Sequence, residues 1–172
     1  ALYNRAVTLR ELKRYDEALD YYDRAIAMRP DLAEAHCNRG VSLHDMKRYE
    51  EALASYTRAI ALRPTYVEAL YNTGMTLENL KRHEEALEFY DRALALRPNL
   101  GEAWSNRGNS LQELKRIDEA LDSYDRALAV RPDFAEPLSN RGMILHELKR
   151  YDEALAGYDR ALAVRPDYIE AL

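Results

Sequence analysis

Five times along this chain the same phrase returns. It reads LKRYDEAL from Leu12, MKRYEEAL from Met46, LKRHEEAL from Leu80, LKRIDEAL from Leu114 and LKRYDEAL again from Leu148, always 34 residues apart. A fixed period of this length overrides the one-domain expectation that 172 residues would otherwise raise. Such repeats bury their apolar faces only by stacking on one another. In this frame the units run 1–32, 33–66, 67–100, 101–134 and 135–168, with 169–172 opening a sixth, so the chain begins inside a repeat and reads as a piece of a longer array.

The fourth unit shows the local structure most clearly. Trp104, Gly108, Leu111 and Leu114 are spaced by 4, 3 and 3, one face of a helix. Ile117, Ala120, Leu121, Tyr124, Ala127 and Leu128 line the face of a second helix. The proline of each RP pair (Pro30, Pro64, Pro98, Pro132, Pro166) ends that second helix, because proline pushes the residue before it out of helical geometry. Small residues (Gly40, Gly74, Gly108 and Gly142 in the first helix, Ala25, Ala59, Ala93, Ala127 and Ala161 in the second) stand opposite large ones, as two closely approaching helices require. The expected fold is all-α, a solenoid of stacked antiparallel helix pairs. Tyr22, Tyr56, Tyr90, Tyr124 and Tyr158 share one position and are expected in its core.

The positions of Trp104, Gly108, Leu111, Ala120, Tyr124, Ala127 and Pro132 resemble the tetratricopeptide repeat, and the resemblance covers essentially the whole chain. It implies a right-handed superhelix in which the first helix of each pair lines a concave groove. The departures are Arg or Thr where an apolar residue often precedes the glycine, and Ala6 in place of that glycine in the first unit. The recurrent phrase is then the turn between the two helices. Its Lys–Arg pair lies at a helix carboxyl end and its acids at a helix start, placements that suit the helix dipole.

Repeats within one chain also expose paired variation. Setting each residue before the glycine against a second-helix residue of the preceding unit gives Asp23–Arg39, Thr57–Thr73, Asp91–Arg107 and Asp125–Arg141, matched in type at every step. A charge-assisted bond across each repeat boundary is expected, absent between the second and third units.

Composition and motifs exclude much chemistry. The formal charge is -5, and Lys and Arg recur beside Asp and Glu, so no basic stripe offers itself to nucleic acid. No apolar run approaches the roughly 20 residues that span a bilayer. A lone Cys37 and no signal peptide fit a cytoplasmic location. Glycines fall singly along helices rather than in a phosphate-cradling loop. Cys37 and His44 are about 10.5 Å apart by helical rise, too far to share a metal. His36, His83 and His146 form no cluster, and His83 takes a position that is Tyr in three other units. Carboxylates that recur in every repeat lack the singular environment of a catalytic pair. The expectation is a protein that is not an enzyme and uses no cofactor and no metal.

What remains is a polar column. Asn4, Asn38, Asn72, Asn106 and Asn140 hold the same first-helix position in all five units, although asparagine is a mediocre helix former. One explanation is bonding between neighbouring helices. The other is a ligand: helices packed about 8–10 Å apart would present one carboxamide for every three residues of an extended peptide at about 3.3–3.6 Å per residue. A carboxamide both donates and accepts, so it can hold a peptide backbone whatever its side chains. The column is similar to the asparagine ladder in the superhelix of O-linked N-acetylglucosamine transferases, which implies that these five residues bind substrate backbone. No catalytic glycosyltransferase domain accompanies them here.

Around the column, Tyr3 and Tyr71 fall on the same face and are candidate contacts. Glu34, Glu68, Glu102 and Glu136 precede four of the asparagines by four residues; Glu11, Asp45, Glu113 and Glu147 follow four of them by seven. An acidic groove favours a neutral or basic extended segment. Tyr3, Cys37, Tyr71, Ser105 and Ser139 occupy the position at which clamps for acidic chaperone tails carry lysine, so an acidic tail is a poor fit. The expected partner is a protein or peptide, with no nucleic acid and no membrane. Self-association through uncapped ends, or service as the substrate-recognition portion of a glycosyltransferase, are the alternatives.

Overall fold

In the computed structural model, which describes residues 1–166, the chain forms helices and no strands among the described residues. It divides into two compact units, Ala1–Leu96 and Arg97–Leu172. The first holds α1 (Leu2–Glu11), α2 (Tyr15–Met28), α3 (Ala33–Asp45), α4 (Tyr49–Leu62), α5 (Val67–Asn79) and α6 (His83–Leu96). The second holds α7 (Gly101–Glu113), α8 (Ile117–Val130), α9 (Ala135–Glu147) and α10 (Tyr151–Val164). In each unit the odd-numbered helix packs most heavily on the even-numbered helix that follows it. The even one then packs on the next odd helix of the same unit.

The recurrent phrase explains how each pair turns. Lys13, Lys47, Lys81, Lys115 and Lys149 all take φ of 58–61°, the left-handed region. The Lys13 N–H donates to the Arg10 carbonyl at 2.8 Å and the Arg14 N–H to the Leu9 carbonyl at 2.9 Å. This double closure ends the first helix by satisfying its last carbonyls. The arginine after each lysine serves the next helix. Arg14 Nε and Nη2 donate to both carboxylate oxygens of Glu17, at 2.6 and 2.7 Å, and the same fork joins Arg48 to Glu51, Arg82 to Glu85, Arg116 to Glu119 and Arg150 to Glu153. A cation at a helix amino end opposes the dipole, so this fork is what gives the arginine a place there, rather than the dipole expected from the sequence. It holds the Glu17, Glu51, Glu85, Glu119 and Glu153 carboxyls below their ordinary range.

A left-handed residue with a Cβ costs about 1–2 kcal/mol, against roughly 0.5–1 kcal/mol for ordering a glycine. Lys47→Gly is therefore expected to raise stability by about 0.5–1 kcal/mol, measured by urea unfolding; a destabilised variant would mean that the lysine side chain holds the turn. The second helices stop as proline requires: Arg29, Arg63, Arg131 and Arg165 sit at φ near -140° and ψ of 85–93°, extended and unable to continue the helix.

The core runs from pair to pair within a unit. In the first, Leu19 of α2, Cys37 and Leu43 of α3, Ala52, Tyr56 and Ala59 of α4 and Ala69 of α5 form one buried cluster. In the second, Leu138 of α9 and Ala161 of α10 pack with Leu128 of α8. Of the tyrosine column, Tyr22, Tyr56, Tyr90 and Tyr124 are inside, at most 1% exposed, whereas Tyr158 on the last helix is half-buried. Each such ring from Tyr56 on lies against a glycine: a Cβ on Gly40, Gly74, Gly108 or Gly142 would fall 2.5–2.7 Å from Cε1 of Tyr56, Tyr90, Tyr124 or Tyr158. The first pair differs, with Ala6 buried in one cluster with Tyr22. For the others the close approach predicts that Gly108→Ala costs about 1–3 kcal/mol through overpacking, read by the same unfolding measurement.

Candidate functional site

Asn4, Asn38 and Asn72 lie on α1, α3 and α5 of the first unit, and Asn106 and Asn140 on α7 and α9 of the second. Within each unit successive odd-numbered helices touch, so their asparagines occupy equivalent places on adjoining helices. Asn4 is exposed and the other four are half-buried.

The asparagine side chains also bond to the protein. Asn38 Nδ2 donates to the Tyr3 hydroxyl at 2.7 Å, and Arg10 donates to Asn38 Oδ1 across a long 3.5 Å. Asn140 Nδ2 donates to Asn109 Oδ1 at 2.9 Å. Burial pushes the Cys37 thiol, which lies on α3 beside this column, up to about 11 and keeps it protonated. The helix-joining explanation of the column thus has direct contacts behind it. The amides tie odd-numbered helices together, and since a carboxamide carries two donors and two acceptor sites, a single bond leaves capacity for a ligand.

Tyr3 and Tyr71 are half-buried, their rings tilted against core tyrosines at 6.2 Å (Tyr22) and 6.1 Å (Tyr90). The column they share is otherwise closed: Cys37, Ser105 and Ser139 are buried. Glu11, Asp45, Glu113 and Glu147 are exposed. The acids near the helix starts are engaged instead. Glu34 accepts from Arg63, which together with its own backbone N–H holds its carboxyl low, and Glu102 accepts from Arg131 at 2.9 Å. The negative charge of this face therefore rests on the late-helix acids more than on the early ones.

A second polar column was not singled out from the sequence. Six residues after each asparagine stand Arg10, His44, Glu78, Gln112 and His146. Tyr90 donates to Glu78 at 2.7 Å; Tyr124 lies 3.0 Å from Gln112 Oε1 and donates to Asn109 at 2.8 Å. Arg10 has no acceptor to offer, and the Tyr22 hydroxyl beside it is buried without a partner. His44 Nδ1 instead bonds Thr76 Oγ1 of α5 at 2.8 Å. The readable signal was a polar residue kept at this position in every repeat.

The paired variation is realised at Asp23–Arg39 and at Asp125–Arg141. Arg39 Nε meets Asp23 Oδ1 at 2.6 Å, and Arg141 Nε meets Asp125 Oδ1 at 2.6 Å. Arg39 also donates to Ser55 at 2.7 Å, bridging α2, α3 and α4. Where Thr57 and Thr73 replace the pair, Thr73 is buried and turns its hydroxyl to the Ala69 carbonyl at 2.7 Å. With the acids more than half exposed, each pair contributes about 0.2–1 kcal/mol and acts mainly on register.

Among the described residues no group of three or more His, Cys, Asp or Glu is placed to hold a metal, and no helix is long and apolar enough to cross a membrane.

Family profiles for the tetratricopeptide repeat match residues 1–65, 37–100, 101–134 and 135–168. No curated protein sequence matches the chain. Among solved structures it is similar to YrrB, a TPR protein with an unusual peptide-binding site, at 26% identity over 99% of this chain and 88% of that one, with a TM-score of 0.83. It is similar to MamA at 21% identity over 94% of both chains, TM-score 0.88. A third likeness is to residues 41 to the end of MamA from Desulfovibrio magneticus RS-1, at 17% identity over 98% and 99%, TM-score 0.83.

Proposed function

The chain belongs to the tetratricopeptide repeat family, and on that premise we propose that it is an interaction scaffold that binds an extended protein segment along the face of its first helices. Asn4, Asn38, Asn72, Asn106 and Asn140 hold the segment's backbone, Tyr3 and Tyr71 give it apolar edges, and Glu113 and Glu147, with Glu11 and Asp45, favour neutral or basic side chains. The observation that carries this reading is the carboxamide kept at one half-buried or exposed position in every repeat. YrrB, alike over nearly the whole chain, has a peptide-binding site of its own. The role is binding without catalysis, and a glycosyltransferase's recognition portion would use the same face in the same way.

The test uses three fluorescent probes of about 12 residues, long enough at about 3.4 Å each to cross the helix steps of about 8–10 Å within either unit. They alternate serine with lysine, glutamine or glutamate. Fluorescence anisotropy is expected to rank them lysine, then glutamine, then glutamate, with the lysine probe weakened by salt. Failure of all three to bind, or preference for the glutamate probe, would contradict the proposal.

A second reading is end-to-end self-association, since stacked repeats present apolar faces to one another. Light scattering that rises with protein concentration, and is abolished by an appended polar helix, would support it; monomers at high concentration would oppose it.

A further inference from the structure

Asn109 is an anomaly in its column: the equivalent residues are Val7, Val41, Met75 and Met143. It is half-buried on α7, and its side chain joins three others. The logic of that junction starts from a charge. Glu136, in the first turn of α9, has a carboxylate that only accepts hydrogen bonds. Asn109 Nδ2 donates to Glu136 Oε1 at 3.1 Å, which fixes which end of the Asn109 amide faces it. Asn109 Oδ1 is thereby turned to the other side, where it accepts from the Tyr124 hydroxyl at 2.8 Å and from Asn140 Nδ2 at 2.9 Å. An oxygen that already faces Asn140 obliges Asn140 to answer with its NH2. Flipping either amide would set oxygen against oxygen or NH2 against NH2. Asn140 therefore keeps its nitrogen on the α7 side and its Oδ1 on the far side.

We infer that Glu136 and Asn109 are positioning residues that orient the Asn140 amide so that a bound segment runs, N to C, from α9 toward α7, opposite to the order of the repeats. The inference rests on the binding role proposed above. A segment residue held by both ends of the Asn140 amide puts its carbonyl at the remaining Nδ2–H, on the α7 side, and its N–H at Oδ1, on the far side. Since each residue's nitrogen precedes its carbonyl, the chain direction follows. A ladder of freely rotating amides would have no such preference.

The test places a nitroxide at either terminus of the serine–lysine probe and records the loss of backbone amide signals across the 172-residue chain. The N-terminal label is expected to bleach α9 signals more than α7 signals, and the C-terminal label the reverse. Asn109→Val, which installs the residue found at Val41, is expected to leave the fold intact and remove the bias between α7 and α9, and Glu136→Gln to weaken it there, because a glutamine amide can face Asn109 either way. The opposite bias, equal bleaching by both labels, or a bias between α7 and α9 that is unchanged in Asn109→Val would overturn the inference. A second measurement needs no probe: the coupling through the hydrogen bond from Asn140 Nδ2 to the Asn109 side-chain carbonyl is expected in the free protein, and its absence would also overturn it. A coupling that is present while neither label bleaches any signal would instead strike down the binding role, and the direction with it.

Discussion

Tyr124→Ala is expected to lower stability by about 3–5 kcal/mol, the largest effect of any single substitution considered. The ring is fully buried against Gly108, and its hydroxyl donates to Asn109, so truncation opens a cavity and releases a polar bond together. The helices around it cannot collapse freely, because the forks and left-handed turns fix each pair at its closed end. Urea unfolding should show the loss, and a change under about 1 kcal/mol would contradict the packing described. The glycine supplies an internal control. In the Tyr124→Ala background the steric clash at Gly108 is gone, so Gly108→Ala should become neutral or stabilising, since alanine is the better helix former by about 1 kcal/mol. Strong coupling in this double-mutant cycle follows from the 2.5 Å approach; simple additivity would argue that the two sites do not meet.

Much of this architecture was legible because the chain repeats itself. The 34-residue step marked the helix pairs, the RP prolines marked where second helices stop, and the match of Asp23 with Arg39 and of Asp125 with Arg141 pointed to bonds across repeat boundaries. The left-handed lysines were not legible, because lysine carries no local signal for that geometry as glycine or asparagine would. The arginine beside them was attributed to the helix dipole, while its actual partner is the glutamate three residues on. At the candidate site the asparagine column could be read, but the direction of each amide could not. That direction depends on long-range neighbours such as Asn109 and Glu136 around Asn140, or Tyr3 and Arg10 around Asn38. The early glutamates could be read either as helix-dipole partners or as groove charge, and Glu34 and Glu102 proved to be tied to arginines at the far end of their own pairs.

The central claim is that the asparagine column exists to hold a ligand as well as to join helices. The triple variant Asn72→Ala, Asn106→Ala, Asn140→Ala separates the two uses. At Asn140 truncation leaves Asn109 Oδ1 still served by the Tyr124 hydroxyl. Part of any loss is offset by the better helix propensity of alanine, about 0.5 kcal/mol per site. The expected loss of stability is therefore less than about 1 kcal/mol per site, short of the 1–3 kcal/mol that an orphaned buried partner costs. Affinity for the serine–lysine probe should fall roughly 100-fold, three backbone contacts at about 1 kcal/mol each. A triple variant that melts far below the parent chain without any probe present, or one that binds the probe as tightly as the parent, would contradict the account.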